Sequence, residues 1–450
     1  MGLLFADTCL LFAGLGMIDQ PTAGLEKELG LLESSANYTL PEIEEIAGRF
    51  ELPAPLEVSP FESRGNINFH TYLVKAGGTD YLLQKVNTDV FTMPHRVMDA
   101  MLASLNAQRG ALGIEECDHE WYPIDLVPTR TGDTYLDLSD ATGYKVWRMM
   151  LRIPGVRTYK SLSEVEEREA QLQLAEETGR GLAIYSDLTA SVDPSTIKAG
   201  LPGYRNTDLY FRQFRAVLAG CHSLDEAHDW LPEDREICAA TRQHFLVALD
   251  PYEYRERKTD EALAPYIATF HGRELFVTGL WKAVNEGRVR STLIHGDTKI
   301  ENFLFCEKTG KAVSLIDLDT IMPFTWLADW GDLVRSLVNV AGEKEQNLQK
   351  VFVDWDVYRA VAKGFLQSSS KVTEEEISLM PYAVEAITLE LGLRFLTDYL
   401  RGDTYFQLGP NDPQDLNKVR AMAQIHLYRQ LLLNRDKAEK AISEALPSKA

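Results

Sequence analysis

Cysteine is scarce in this chain of 450 residues, which contains only five. None of them forms a CxxC pair or lies at the spacing of metal ligands: Cys9, Cys117, Cys221, Cys238 and Cys306. The sequence therefore indicates neither a disulfide framework nor a zinc site. Because disulfides belong to oxidising compartments, we expect a cytoplasmic protein.

Basic residues are fewer than acidic ones. The chain has 46 basic and 67 acidic residues, which gives a formal net charge of -21. A surface of this charge repels a polyanion such as nucleic acid, so nucleic acid is not an expected partner. A small ligand that carries phosphate remains compatible with the sequence, provided that a local basic pocket offsets the negative potential of the whole protein.

Long apolar runs are rare as well. Residues 1–17 are rich in leucine and phenylalanine, but Asp7 interrupts them and the first basic residue is Lys27. The segment therefore matches neither a secretory signal nor a membrane span. We expect residues 1–30 to be a disordered extension, or translation to start at Met17, and we expect no membrane partner.

What the chain does contain is 45% apolar residues, enough for a large core. The sequence predicts a hairpin turn at residues 75–80, then a helix that begins at Pro94, and then an apolar strand at residues 144–151. Beyond this part the pattern is mainly helical. The sequence predicts an α+β fold with a small β-rich N-terminal lobe over residues 31–150 and a larger, mainly helical C-terminal lobe over residues 151–445.

The clearest chemical signal is a polar loop, LIHGDTKIENFLF, that begins at residue 293 and is followed after a turn by SLIDLDT. Phosphoryl transfer needs a carboxylate that accepts the proton of the attacking hydroxyl. It also needs an amide oxygen and a second carboxylate that hold Mg²⁺. Asp297 precedes Asn302 by the spacing of these groups in the kinase catalytic loop. We therefore predict Asp297 as the base, with Asn302 and Asp317 as metal ligands.

Three neighbouring residues are predicted to support this set. His295 would position the loop, and Lys299 would meet either the transferred phosphate or the base. Asp319 would take a second metal or support the first. The alternative interpretation is a surface hairpin with ordinary turn residues, which a lone HGD would fit.

These motifs resemble the aminoglycoside-phosphotransferase-type kinase-fold superfamily and, more narrowly, the N-acetylhexosamine 1-kinase-like sugar kinases. The narrower resemblance rests on the separated segments GNINFHTYLV, YLLQKVN, DWGD, RFLTDYL and GDTYF, which lie between roughly residues 60 and 435. It implies a two-lobed protein-kinase-like fold, ATP and Mg²⁺ as cofactors, and transfer of the γ-phosphate to a sugar hydroxyl, characteristically the anomeric one.

The resemblance also implies where the nucleotide binds. GNINFHTY takes the place of the kinase loop that covers the phosphates, although it has one glycine rather than three. Backbone N–H groups around Gly65 and Asn66, or the side chain of Asn68, are predicted to meet phosphates. Lys85 on the next strand corresponds to the kinase lysine that pairs with the phosphates, but strand parity alone leaves Gln84 as an alternative.

The acceptor side departs from the family pattern. The resemblance implies that the run after Leu201-Pro202 contacts the acceptor, which here points to Tyr204 and Arg205. An arginine here either favours an acceptor with an anionic group or forms a salt bridge with one of the many acids. The alternatives to a sugar kinase are a kinase of an amino alcohol or aminoglycoside, and a catalytically silent binding protein of kinase fold.

Two further segments are predicted to be structural. Asp329 and Asp332 of the DWGD segment would brace the catalytic loop. Arg394, Asp398 and Asp403 would give internal polar support rather than contact the acceptor. The sequence predicts neither the exact acceptor nor an oligomeric state.

Overall fold

The computed structural model describes residues 38–61, 68, 70–113, 120–409 and 411–447. The predicted extension at residues 1–30 and the loop residues Gly65 and Asn66 lie outside these ranges. Within them, no helix combines the length and the apolar character needed to cross a membrane.

A five-stranded antiparallel sheet forms the N-terminal lobe. A short helix precedes it, and its strands have the order β1-β2-β3-β5-β4. The elements are α1 (Leu40–Ala47), β1 (Leu56–Pro60), β2 (Thr71–Ala76), β3 (Thr79–Lys85), α2 (Pro94–Leu112), β4 (Leu136–Asp137) and β5 (Val146–Leu151). The predicted hairpin joins β2 to β3, and Gly77 and Gly78 at its turn have positive φ angles of 59° and 81°.

Helix α2 begins at Pro94, as the sequence predicts, because proline suits the first helical turn. Its buried side chains Val97 and Met101 share a core with Val146 of the sheet and with Leu293 and Leu318 from the later part of the chain. This core packs the N-terminal sheet against the segment that carries the predicted catalytic loop.

The remainder of the chain is mainly helical, so the predicted α+β arrangement of two lobes is confirmed. The helices are α3 (Arg168–Thr189), α4 (Thr207–Ala219), α5 (Arg235–Thr241), α6 (Pro251–Lys258), α7 (Ala264–Val277), α8 (Gly279–Asn285), α9 (Trp326–Val338), α10 (Trp355–Ser368), α11 (Glu374–Arg401), α12 (Leu416–Leu433) and α13 (Arg435–Ala445). Helices α3 and α10 approach closely because Gly179 and Gly364 lie at their crossing. A Cβ on Gly364 would lie 1.8 Å from the carbonyl oxygen of Glu176.

Short strands interrupt the helical lobe where the sequence predicts the catalytic segment. They are β6 (Val156–Arg157), β7 (Thr292–Ile294), β8 (Phe303–Cys306), β9 (Ala312–Leu315) and β10 (Met322–Phe324). Strands β8 and β9 form the predicted hairpin, and β7 pairs with β10. The polar loop between β7 and β8 and the turn after β9 therefore end at the same edge.

Candidate active site

The loop between β7 and β8 has a backbone that requires glycine. Gly296 has φ 87°, and a Cβ at this position would lie 2.6 Å from the carbonyl oxygen of Thr320. Both facts exclude a larger residue without a backbone shift. The close approach holds Asp297, the next residue, beside the turn that follows β9, and about a quarter of its side chain (27%) is exposed.

Asp329 of α9 braces this loop, which confirms the prediction for this residue. Asp332 instead pairs with Arg205, whose guanidinium donates to Gly296. The two carboxylate oxygens of Asp329 accept hydrogen bonds from the backbone N–H groups of His295, at 2.7 Å, and Gly296, at 2.8 Å. Its carbonyl oxygen accepts a further bond from the hydroxyl of Thr298 at 2.6 Å. Burial raises the pKa of Asp329, and the two N–H donors oppose that effect.

His295 is fully buried and joins the loop to the end of the hairpin. Its Nε2 lies 2.8 Å from the carbonyl oxygen of Ile316, and its Nδ1 lies 3.2 Å from the backbone nitrogen of Asp297. A carbonyl can only accept and a backbone N–H can only donate, so the ring carries its proton on Nε2. This contact pattern is that of a residue that positions Asp297.

Asn302 lies against the predicted base. Its Nδ2 donates to the carbonyl oxygen of Asp297 at 2.7 Å and to the Asp297 carboxylate at 3.2 Å. Because the nitrogen end of the amide makes both bonds, the oxygen end points the other way. That oxygen is the atom that a hard cation such as Mg²⁺ prefers.

Asp317 follows β9 in a left-handed conformation with φ 64° and ψ 57°, and its residue is exposed at the edge of the hairpin. Desolvation of the carboxyl group within the cleft, together with the nearby Asp319 and Asp297, raises the pKa of Asp317 to about 7. Three carboxylates thus lie close together, and a bound cation would reduce the electrostatic repulsion among them.

Asp319, in contrast, is enclosed by donors from the N-terminal lobe. One of its oxygens pairs with the guanidinium of Arg148, and the other accepts a bond from Nδ2 of Asn68 at 2.7 Å. Of the two roles predicted for Asp319, support is the one that these contacts favour. Asn68 was predicted to meet phosphates, but its amide also accepts from the backbone of Asn87 at 3.0 Å, so protein groups engage both of its ends.

No group of three or more His, Cys, Asp or Glu residues suited to a metal occurs in the part of the chain that the structure describes. Such a group is not needed for Mg²⁺ beside a nucleotide, since phosphate oxygens and water supply most ligands there. Asn302 and Asp317, both oxygen donors, fit that requirement.

Lys299 bridges two carboxylates. Its Nζ lies 3.1 Å from Asp297 and 3.1 Å from Glu301. The negative charge of Asp297, then those of Glu301 and Asp317, raise the pKa of Lys299 despite partial desolvation. A permanently charged ammonium group beside the predicted base is therefore available either to a transferred phosphate or to the base itself.

The structure separates the two candidate residues on β3. Gln84 is paired with Arg148 of β5, and its Oε1 accepts from the guanidinium of that residue at 3.1 Å and 2.5 Å. Lys85, the next residue along the strand, lies on the opposite face, where its cross-strand neighbour is Trp147. Gln84 thus lies on the face that carries Asp319, and the phosphate-binding role of Lys85 stays a prediction.

Tyr204 and Arg205 contact the catalytic loop at Gly296. The Tyr204 hydroxyl and the Arg205 guanidinium both donate to the carbonyl oxygen of Gly296, at 2.8 Å and 2.9 Å. Arg205 also pairs with Glu390 at 3.1 Å and with Asp332 at 3.3 Å. Of the two options left open by the sequence, the salt bridge is the one that the structure contains.

Arg394 of α11 occupies a box of aromatic rings. Its guanidinium carbon lies 5.1 to 5.2 Å from the ring centroids of Tyr204, Tyr210, Tyr405 and Phe406. It forms no hydrogen bond or ion pair with any residue that the structure describes. Tyr204 links this box to the Gly296 carbonyl of the catalytic loop. Burial lowers the pKa of Arg394, but the surrounding tyrosines and the carboxylate of Glu390 raise it above its ordinary value.

Asp398 and Asp403 differ from Arg394. Asp398 accepts bonds from the backbone N–H groups of Tyr405 and Phe406, at 3.0 Å and 2.7 Å. Asp403 pairs with Arg257 at 2.5 Å. The internal support predicted from the sequence is thus confirmed for these two acids, whereas for Arg394 it stays a prediction.

A family model described as the phosphotransferase enzyme family matches residues 61–361, two thirds of the chain. The chain belongs to this family. This phosphotransferase also matches the solved structure of a microcompartment-associated aminopropanol kinase, with 14% identity, a TM-score of 0.54, and coverage of 89% of this chain and 99% of that one. An ethanolamine kinase of Plasmodium vivax matches at 13% identity and a TM-score of 0.46, with 93% and 97% covered. At such low identity the first match supports the two-lobed kinase-like fold alone.

Sequence reasoning about this phosphotransferase missed Arg148. Its signal was present, because Arg148 is a charged residue inside the otherwise apolar strand Val146–Leu151. A buried arginine needs a carboxylate partner. That partner, Asp319, lies 171 positions further along the chain, so no local pattern identifies it.

Proposed function

We propose that this phosphotransferase is an ATP- and Mg²⁺-dependent kinase that phosphorylates a hydroxyl of a neutral or anionic small molecule, with a sugar as the favoured class. The anomeric hydroxyl of an N-acetylhexosamine is the specific candidate. The observation that carries the proposal is the meeting of Asp297, Asn302 and Asp317 at one edge of the β8–β9 hairpin.

In the proposed reaction, the acceptor hydroxyl oxygen forms a bond to the γ-phosphorus of ATP, while the bond from that phosphorus to the β,γ-bridging oxygen breaks. Asp297 accepts the hydroxyl proton, and ADP leaves with the bond's electron pair. Asn302 holds the Asp297 carboxylate, and His295 holds its backbone, so the base is oriented before the acceptor arrives.

Asn302 and Asp317 would hold Mg²⁺, which neutralises phosphate charge when it is bound. Lys299 would meet the transferred phosphate, since its ammonium group already lies between Asp297 and Glu301. Gly65, Asn66 and Lys85 keep their predicted roles at the nucleotide phosphates.

The acceptor class rests on Arg394. A box of aromatic faces is the usual binding site for an ammonium group, but in this chain the protein's own guanidinium fills it. A cationic amino alcohol or aminoglycoside would meet a like charge there. A sugar hydroxyl or a carboxylate, by comparison, accepts hydrogen bonds from a guanidinium.

The test is an ADP-release assay of the purified protein with ATP and Mg²⁺ across a panel of hexoses, N-acetylhexosamines, uronic acids, amino alcohols and aminoglycosides. We expect turnover with a sugar or an acidic sugar and none with the cationic acceptors. Turnover confined to amino alcohols or aminoglycosides would refute the proposed acceptor class. Failure to bind ATP would refute the kinase proposal, and ATP binding without turnover on any acceptor would favour a binding protein.

A further inference from the structure

Five residues form a closed ring of polar contacts between the two lobes. Asp319 pairs with Arg148, and Arg148 donates to Gln84. Nε2 of Gln84 donates to the Thr71 hydroxyl at 3.0 Å, which in turn donates to the carbonyl oxygen of Asn68 at 3.0 Å. Nδ2 of Asn68 then returns to Asp319 at 2.7 Å.

The ring joins three parts of the predicted nucleotide site. Thr71, Gln84 and Arg148 lie on the neighbouring strands β2, β3 and β5 of the sheet. Asn68 lies three residues before the start of β2 and two residues after Asn66 in the sequence. Asp319 is two residues after Asp317, one of the predicted metal ligands.

The ion pair of this ring is buried, so the ring is sensitive to the loss of either partner. The side chains of Arg148 and Asp319 are only 3% and 1% exposed. Removal of one partner from a buried ion pair leaves an uncompensated charge, whereas replacement of both by apolar groups is often neutral for stability. A buried pair at this position is therefore poorly explained by stability alone, and its location between the sheet and the metal turn indicates a role in orientation.

We propose that Arg148 is a positioning residue: through Asp319 it fixes the turn that presents Asp317 and holds Asn68 against the same turn, so that the nucleotide and its Mg²⁺ meet a preformed site. This inference rests on the proposed function, because it presumes that the nucleotide binds there. In this account Asp319 pairs with Arg148 and does not bind a second metal ion.

A competing account treats Asp319 as a metal ligand that Arg148 merely neutralises. The two accounts predict opposite effects of Arg148→Met. A freed Asp319 would strengthen Mg²⁺-dependent nucleotide binding, whereas loss of the positioning contact would weaken it.

The experiment measures ADP affinity with and without Mg²⁺ by calorimetry, together with thermal unfolding, for the full chain and its variants. For Arg148→Met we expect the strengthening of ADP binding by Mg²⁺ to fall by about 10- to 100-fold, the range typical of groups that orient a metal ligand. Arg180→Met is the matched control, because Arg180 donates to Ala312 at the other end of the same hairpin and pairs with Glu177. It should keep the full Mg²⁺ effect.

The double variant Arg148→Met/Asp319→Leu separates positioning from folding. We expect it to regain thermal stability relative to Arg148→Met, since no charge remains buried alone, while the Mg²⁺ effect stays low. Recovery of the Mg²⁺ effect in the double variant, or an unchanged or larger effect in Arg148→Met, would overturn the inference. If the wild-type chain binds no ADP at all, the proposed function itself fails, which is a distinct result.

Discussion

Arg148 and Arg394, which lie near Asp297 on the metal and acceptor sides, have different surroundings. On the metal side, Arg148 is neutralised by Asp319, and desolvation together with the neighbouring carboxylates raises the pKa of Asp317. On the acceptor side, Arg394 lies among aromatic rings without an ion pair to any described residue. The metal side therefore presents a carboxylate near Asp297, and the acceptor side presents a guanidinium enclosed by aromatic rings. Each matches the ligand we propose there, a cation and an electron-rich hydroxyl compound.

Substitution of Asp297, the residue that both sides share, should have the largest effect on activity. We expect Asp297→Asn to lower kcat by about 10²- to 10⁴-fold, the usual contribution of a general base. Binding of ATP with Mg²⁺ should stay close to that of wild type, because the base does not hold the nucleotide. Steady-state kinetics and calorimetry measure the two quantities. Asp356→Asn, at an exposed carboxylate, is the control, and turnover near the wild-type rate in Asp297→Asn would remove Asp297 from its role.

Asp317→Ala tests the metal side alone. We expect the apparent Mg²⁺ affinity in the presence of ATP to fall by at least about tenfold, since loss of a ligand should exceed the effect of its supporting groups. The KM of the acceptor should change little. A Mg²⁺ titration of activity at saturating acceptor checks this, and an unchanged titration would move the metal role to another residue.

Arg394→Met tests the acceptor side alone. A hydrogen bond to a charged group contributes about 1.5–3 kcal/mol, so kcat/KM for the acceptor should fall by roughly 10- to 100-fold while the KM of ATP is unchanged. Arg429→Met is the matched control, because Arg429 also lies over a tyrosine ring, that of Tyr266. A gain of activity toward amino alcohols in Arg394→Met would support the charge argument, and an equal loss toward ATP would contradict the separation of the two sides.

Tyr204→Phe should have the smallest effect. It removes one of two donors to the Gly296 carbonyl, and Arg205 still donates to that atom. We expect a decrease in kcat of no more than about tenfold, the equivalent of one neutral hydrogen bond. Tyr382→Phe, which removes a similar bond to the Phe276 carbonyl, controls for stability. A loss as large as that of Asp297→Asn would mean that Tyr204 takes part in the chemistry.

The sequence predicts the metal side well because its parts are close together in the chain. The polar loop, the β8–β9 hairpin and the acids that follow it lie within about thirty residues, and their order alone places Asp297, Asn302 and Asp317 at one edge. The same reasoning predicts the β2–β3 hairpin and the start of helix α2.

The acceptor side and the ring around Arg148 depend on pairs that are distant in sequence. Arg205 meets Glu390 across 185 positions, and strand parity could not tell Gln84 from Lys85 until the sheet's register was known. Such contacts arise from tertiary packing, which leaves no periodic signal. The aromatic box around Arg394 is likewise built from distant parts of the chain, since Tyr204 and Tyr210 lie far from Arg394 in the sequence.

The most direct test of the central claim is phosphorus NMR of the wild-type protein with ATP, Mg²⁺ and an N-acetylhexosamine. We predict that the γ-phosphate signal of ATP is replaced by that of a sugar phosphate, with coupling to the anomeric proton, only when Mg²⁺ and acceptor are both present. Persistence of ATP, or release of inorganic phosphate alone, with this sugar and with the other neutral and acidic sugars would contradict the assignment of this cleft to a sugar kinase.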